Sequence, residues 1–146
     1  MKLKQLSLFL QNEPGALTVP CRLLAAAGIN IITFAMADAQ QFGILRLIVR
    51  DWEKARRVLE QSGCLVKETE VVAVEVVDRP GGLAEVLEVL EKARINVEYV
   101  YAFTLKKGTR GVLVFRFTDT DAAIATLRAS GINVLDAEEL ERRVEV

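Results

Sequence analysis

Asp78-Arg79-Pro80-Gly81-Gly82-Leu83 separates an apolar alternating run, Thr69 to Val77, from an apolar run at helical spacing. The same arrangement stands 66 positions earlier as Asn12-Glu13-Pro14-Gly15-Ala16-Leu17. A repeat at a fixed period makes the chain a pair of related modules. In each copy Pro presets φ just before a helix, Gly admits positive φ or a close backbone approach, and Asn or Asp is suited to cap exposed amides. The product is a helix N-terminus with unpaired N–H groups, which suits a carboxylate or a phosphate. The same turn also serves simply to join a strand to a helix, and the residues alone leave both readings open.

Outward from the turns, the chain reads as two passes through one pattern. Leu6, Leu8 and Leu10 alternate with Gln5, Ser7 and Phe9, the period of a strand. Leu17, Cys21 and Leu24 then recur at helical spacing up to Gly28, with Pro20 delaying the start of that helix or making it irregular. Asn30 to Ala37 is a second strand, Ala39-Gln40-Gln41 a weak turn and Gly43 to Arg50 a third strand. Asp51 caps a second helix that carries Trp52, Ala55, Val58 and Leu59 inward and Arg56, Arg57 and Glu60 outward, and Gly63 stops it. Cys64 to Val66 is a short fourth strand, and Thr69 begins the pattern again with Val72, Val74 and Val76 in the places of the three leucines.

The second pass keeps the offset of 66 through Leu83, Leu87 and Leu90, and through Ile95-Asn96-Val97 against Ile29-Asn30-Ile31. Beyond Lys106-Lys107-Gly108-Thr109 the offset becomes 68, so that Gly111 matches Gly43, Asp119 matches Asp51 and Gly131 matches Gly63. An insertion confined to a hairpin tip is what a shared fold predicts. The expected class is α+β: two ferredoxin-like βαββαβ units, 1–68 and 69–136, each a four-stranded antiparallel sheet with two helices on one face. A tail, 137–146, has no counterpart, and its Glu138, Glu139 and Arg142 predict a short exposed helix packed on the body.

In the third strands Leu45, Leu47 and Val49, with Leu113, Phe115 and Phe117, should face the helices. That leaves Ile44, Arg46, Ile48, Val112, Val114 and Arg116 on the back. A back face this apolar predicts packing between sheets and a homodimer.

Composition excludes several classes. The 146 residues are 51% hydrophobic and 27% charged with a net charge of −1, enough for a core and without the basic excess that nucleic acid demands. With no long apolar run and no leader-like N-terminus, the expectation is a cytoplasmic protein with no membrane partner. Cys21 and Cys64 sit in apolar runs and in no CxxC, and read as reduced core residues. There is no histidine, no metal-ligand cluster, no GxSxG and no Walker or GxGxxG loop, so no catalytic residue, metal or cofactor is assigned.

Two such units, each with Asn or Asp followed by x-Pro-Gly-x-Leu and, 18 residues on, Ile-Asn-Ile or Ile-Asn-Val, resemble ACT domains. The chain is most similar to stand-alone tandem-ACT proteins, in which no catalytic domain is attached. The resemblance implies an allosteric, non-catalytic regulatory protein that binds a small amino acid at its β1–α1 turns and unit interfaces. The alternative within the same family is a regulatory subunit of a metabolic enzyme, similar to the acetolactate synthase small subunit, with a degenerate ligand site.

Carried onto this sequence, the family's site comprises Asn12, Pro14, Gly15, Ala16, Leu17, Asn30 and Ile31. In the second unit it comprises Asp78, Pro80, Gly81, Gly82, Leu83, Asn96 and Val97. Backbone amides at Ala16 and Leu17, or Gly82 and Leu83, are expected to receive the α-carboxylate of a zwitterion. Asp78 is the sharper acceptor for the ammonium, since it adds charge where Asn12 adds none. Serine-binding ACT domains often carry a His two residues before the Asn; Leu10 and Val76 stand there, which does not support a serine pocket. Tyr99, Tyr101 and Phe103 replace Thr33, Ala35 and Ala37, either as packing or, for Tyr99 and Tyr101, as pocket walls.

Overall fold

Alternation sets the strands. Leu6 and Leu8 of β1 (Leu3–Gln11) and Leu45 and Leu47 of β3 (Phe42–Val49) are all at most 1% exposed. Successive side chains of a strand point to opposite faces, so both strands give one face to a core. The computed structural model describes residues 1–37, 40–105 and 108–144. Ala39 of the first hairpin turn, Lys106 and Lys107 of the second and the last two residues of the tail lie outside the described residues.

Two compact units emerge: residues 4–69, and residues 1–3 with 70–146. The N-terminal unit continues from β1 through α1 (Thr18–Ala26), β2 (Ile31–Ala37), β3 and α2 (Trp52–Gln61) to the start of β4 (Val66–Val77). The C-terminal unit takes the rest of β4, then α3 (Gly82–Lys92), β5 (Val97–Thr104), β6 (Arg110–Phe117), α4 (Thr120–Ala129), β7 (Asn133–Leu135) and α5 (Ala137–Val144). The strand orders are β2-β3-β1-β4 and β5-β6-β4-β7, which are the same order once the repeat is superimposed. The fold is therefore α+β, built from two βαββαβ units with antiparallel pairing in both hairpins.

Each unit has its own core. Leu24, Ala55 and Leu59 close over Leu6, Leu8, Leu45, Leu47 and Val49 in one, and Val86, Leu90, Ala123 and Leu127 close over Val72, Val74, Leu113, Phe115 and Phe117 in the other. Phe115 and Phe117, two apart on β6, stack with ring centres 5.1 Å apart. Asp51 and Asp119 cap α2 and α4, each accepting from the amide three residues on at 3.1 Å, a contact that stabilises a helix by about 1 kcal/mol.

Three expectations change in the structure. First, β4 is a single strand from Val66 to Val77, where a short strand ending at Val66 and a fresh one from Thr69 were expected. No Gly or Pro stands between them, so nothing interrupts the extended chain. Second, α1 buries Pro20 and Leu24, leaving Leu17 and Cys21 exposed, and Leu83 and Leu87 are likewise exposed on α3. Cys21 is thus a surface thiol, and only Cys64 is partly buried. Stripes through 17, 21 and 24 and through 20, 24 and 27 are almost equally apolar, so helical spacing could not choose between them. Third, the back faces are not uniformly open: Val112, Val114 and Ile48 are buried, while Ile44, Arg46 and Arg116 are partly exposed. In the C-terminal unit α5 buries Leu140 and brings Arg143 to Glu75 of β4, so the tail is a packed helix with one anchored side.

Candidate functional site

The two turns repeat hydrogen bond for hydrogen bond. The Asn12 amide donates to Gln41 O at 2.8 Å and the Asp78 amide to Thr109 O at 2.6 Å. Glu13 donates to Gln11 O and Arg79 to Val77 O, both at 3.0 Å. Ala16 donates to Glu13 O at 3.2 Å and Gly82 to Arg79 O at 3.0 Å. Gly15 and Gly81 both hold positive φ, 88° and 89°, which glycine adopts without steric cost.

These bonds reassign the anion donors. The Ala16 and Gly82 amides, expected to face a carboxylate, are committed to the turns themselves. The donors that a helix start leaves without an internal partner are then Leu83 and Ala84 in α3. In α1 the matching Thr18 amide is tied back to Gly15 O at 3.1 Å. Pro20 is the cause: it has no N–H to bond Ala16 O, so the first turn tightens and α1 begins two residues later than α3 does relative to the repeat. The start of α3 therefore leaves more of its amides open than the start of α1 does.

The acidic side differs in the same direction. Asn12 donates to Gln40 O at 3.4 Å, whereas the Asp78 carboxylate is exposed and has no side-chain partner among the described residues. Arg79 lies across the turn, donating to Pro80 O at 3.3 Å and to Glu85 Oε1 at 2.6 Å. Gly82 lets α3 approach its strand so closely that a Cβ there would lie 2.4 Å from Val77 O.

Asp78, Arg79 and Leu83 line a cleft of about 620 Å³ whose other walls are Val76, Val77, Ala102, Phe103, Thr104, Gly111, Val112 and Leu113. Pro80 and Gly81 shape the turn at its margin. Phe103, which the sequence reading left outside the site, borders it at the end of β5. Tyr99 and Tyr101 pair with Arg116 and Val114 on the back of the sheet and do not line this cleft. Phe103 shares their strand parity, pairing with Val112 on the same face.

Asn96 and Val97 belong to a different groove. They lie with Leu87, Leu90, Glu91, Arg94 and Ile95 around a space of about 330 Å³, and Asn96 donates to Thr118 Oγ1 at 3.1 Å. This groove is at the C-terminal end of α3, and the turn is at the other. Eleven helical residues separate them by about 16 Å, too far for one small zwitterion to touch both within a unit. Asn30 and Ile31 stand in the same relation to Asn12, Pro14, Gly15, Ala16 and Leu17 at the ends of α1. Leu17 instead borders a shallow groove with Thr18, Cys21, Arg22 and Ala25.

No cluster of three metal-ligating side chains occurs among the described residues, and no helix there is long and apolar enough to cross a membrane.

The chain is similar over its whole length to protein BT0572 from Bacteroides thetaiotaomicron, with 34% identity, a TM-score of 0.91 and coverage of 100% of this chain and 98% of that one. It shares its fold with the regulatory subunit of aspartate kinase from Thermus thermophilus, at 17% identity and a TM-score of 0.65, covering 88% and 90% of the two chains. The corresponding subunit from Thermus flavus is similar at 16% identity and a TM-score of 0.61, covering 88% and 92%. No curated protein matches the chain. A family model described as an ACT domain pair matches residues 1–144, and the chain belongs to that family.

Proposed function

We propose that the chain is a non-catalytic regulatory protein that binds a small amino acid at the turn between β4 and α3. The observation that carries this reading is the pairing, on one cleft, of the unpartnered Asp78 carboxylate with the open start of α3. A zwitterion needs one anionic acceptor and one cluster of N–H donors a few ångströms apart, and the turn offers both. Val76, Leu83, Ala102 and Leu113 supply the apolar wall for a side chain. The N-terminal turn has the same scaffold with a neutral Asn12 and a closed Thr18 amide, so it binds more weakly or not at all. Membership of the ACT domain pair family supports a regulatory role, as does the fold shared with a kinase regulatory subunit. Binding acts by linkage: a ligand that prefers one arrangement of a homodimer or of a partner complex in the cytoplasm shifts the population toward it.

The test is a thermal-shift screen of the purified protein against the twenty amino acids. A ligand at a hundredfold excess over its Kd adds roughly 2.7 kcal/mol, a rise of about 5 to 10 °C for a chain of this size. Asp78→Ala should remove the shift and Asn12→Ala should leave most of it. A flat screen with well-folded protein sinks the sensor reading and favours an enzyme-bound subunit whose ligand site is degenerate. Equal losses in the two variants refute the asymmetry.

A further inference from the structure

The charges carried by the two turns differ more than their backbones do. At the repeat's offset of 66, Glu13 stands where the C-terminal unit has Arg79, and Val19 where it has Glu85. Arg79 lines the Asp78 cleft. Its Nη2 donates to Glu85 Oε1 at 2.6 Å and its Nη1 to Pro80 O at 3.3 Å. A guanidinium carries five N–H donors in a planar fork that matches a carboxylate. Those two bonds leave its Nε edge without a partner among the described residues. The cleft thus has an anion, Asp78, beside a cation, Arg79, where the N-terminal turn has Asn12 beside Glu13.

Glu85 is itself a carboxylate, placed in the first turn of α3. It engages Arg79, yet among the described residues it accepts from neither the Leu83 nor the Ala84 amide. The pair is weakly held. Its side chains are 51% and 59% exposed, and at such exposure water, salt and the cost of fixing two long side chains remove most of the attraction. A free carboxylate has no tether to α3, so it can meet the guanidinium and the two amides together, which Glu85 does not do.

We propose that Arg79 is the side-chain receptor for the carboxylate of the ligand, and that Glu85 is a built-in competitor which holds the guanidinium until that carboxylate displaces it. The inference rests on the zwitterion reading above and narrows its ligand class. A free carboxylate is required, so amino acids bind and their amides and esters do not. The N-terminal turn is excluded on the same ground, because Glu13 there repels the group that Arg79 attracts.

Nuclear magnetic resonance titration of isotope-labelled protein with sodium acetate, at an ionic strength held constant with chloride, isolates the carboxylate from the rest of the ligand. The expected result is saturable shifts of the Arg79 Nε–H and of the Leu83 and Ala84 amides. Arg79→Gln should abolish the response of the two amides. Glu85→Gln should tighten acetate by about 2- to 5-fold, the factor to which a surface ion pair amounts. Glu88→Gln, exposed on the same helix and equal in its change of net charge, should not. No shift at these groups, amide shifts that survive Arg79→Gln, or Glu85→Gln binding no tighter than Glu88→Gln overturns the proposal. Acetate has no ammonium, so the two readings fail separately. A flat amino-acid screen beside the expected acetate response sinks the zwitterion site and keeps Arg79 as a carboxylate receptor. An amino-acid hit whose affinity Arg79→Gln leaves unchanged keeps the site and removes Arg79 from it.

Discussion

Replacing Gly82 by Ala tests whether the approach of α3 to its strand is as close as the structure has it. The added Cβ would sit 2.4 Å from the Val77 carbonyl oxygen, about 1 Å short of ordinary contact at 3.4 Å. The obstacle is backbone, so no side chain can swing away, and either α3 or the end of β4 must shift. Overpacking of this kind costs about 1 to 3 kcal/mol. Alanine returns less than about 1 kcal/mol of helix propensity at a first helical position. The net loss of about 1 to 2 kcal/mol lowers the melting temperature of a small unit by about 4 to 8 °C per kcal/mol. The natural control is Ala16, which carries a Cβ at the same place in the repeat, so its turn cannot approach Gln11 as closely. Ala16→Gly, in the turn before α1, should cost under about 1 kcal/mol, through the added backbone freedom of glycine in the unfolded chain. Circular-dichroism melts of both variants measure the difference. Gly82→Ala melting at or above the wild type would refute the close approach and, with it, the geometry assigned to the Leu83 and Ala84 amides.

Two further outcomes follow from side-chain environments. Glu68 is held below the usual carboxylate range first by its hydrogen bond to Lys4, against partial burial, with the charges of Lys4 and Arg56 adding to the effect. A depressed folded pKa contributes stability that is fully present above the unfolded value near 4.5 and is lost as pH falls through the folded value. Melts of the wild type should therefore decline as pH drops below about 4.5, and Glu68→Gln should flatten that part of the profile. An unchanged slope in the variant would remove Glu68 as the cause. Thiol labelling separates the cysteines: exposed Cys21 reacts fast, while burial raises the Cys64 pKa and slows it. Cys21→Ser should abolish the fast phase, and a fast phase that persists would contradict the exposed face of α1.

Much of the fold was legible in one dimension, because local rules act within a few residues. The alternation of Leu6, Leu8 and Leu10, the Asp51 cap and the repeated Pro-Gly turns each report on the next few positions, and the 66-residue period shows that they recur together. These features determined the α+β class, the tandem architecture and the location of both candidate turns. What they left open depended on long-range contacts. Whether Leu17 and Cys21 or Pro20 and Ala27 join Leu24 on the inward side was decided by the sheet beneath α1, since both stripes have the same period. The amides at Ala16 and Gly82 looked available because a backbone donor in a turn cannot be assigned until its acceptor, Glu13 or Arg79, is in place. The helix lying between the Asp78 turn and Asn96 divides one list of family residues into two distant places. Sequence spacing counts residues, and only the folded chain converts them into ångströms.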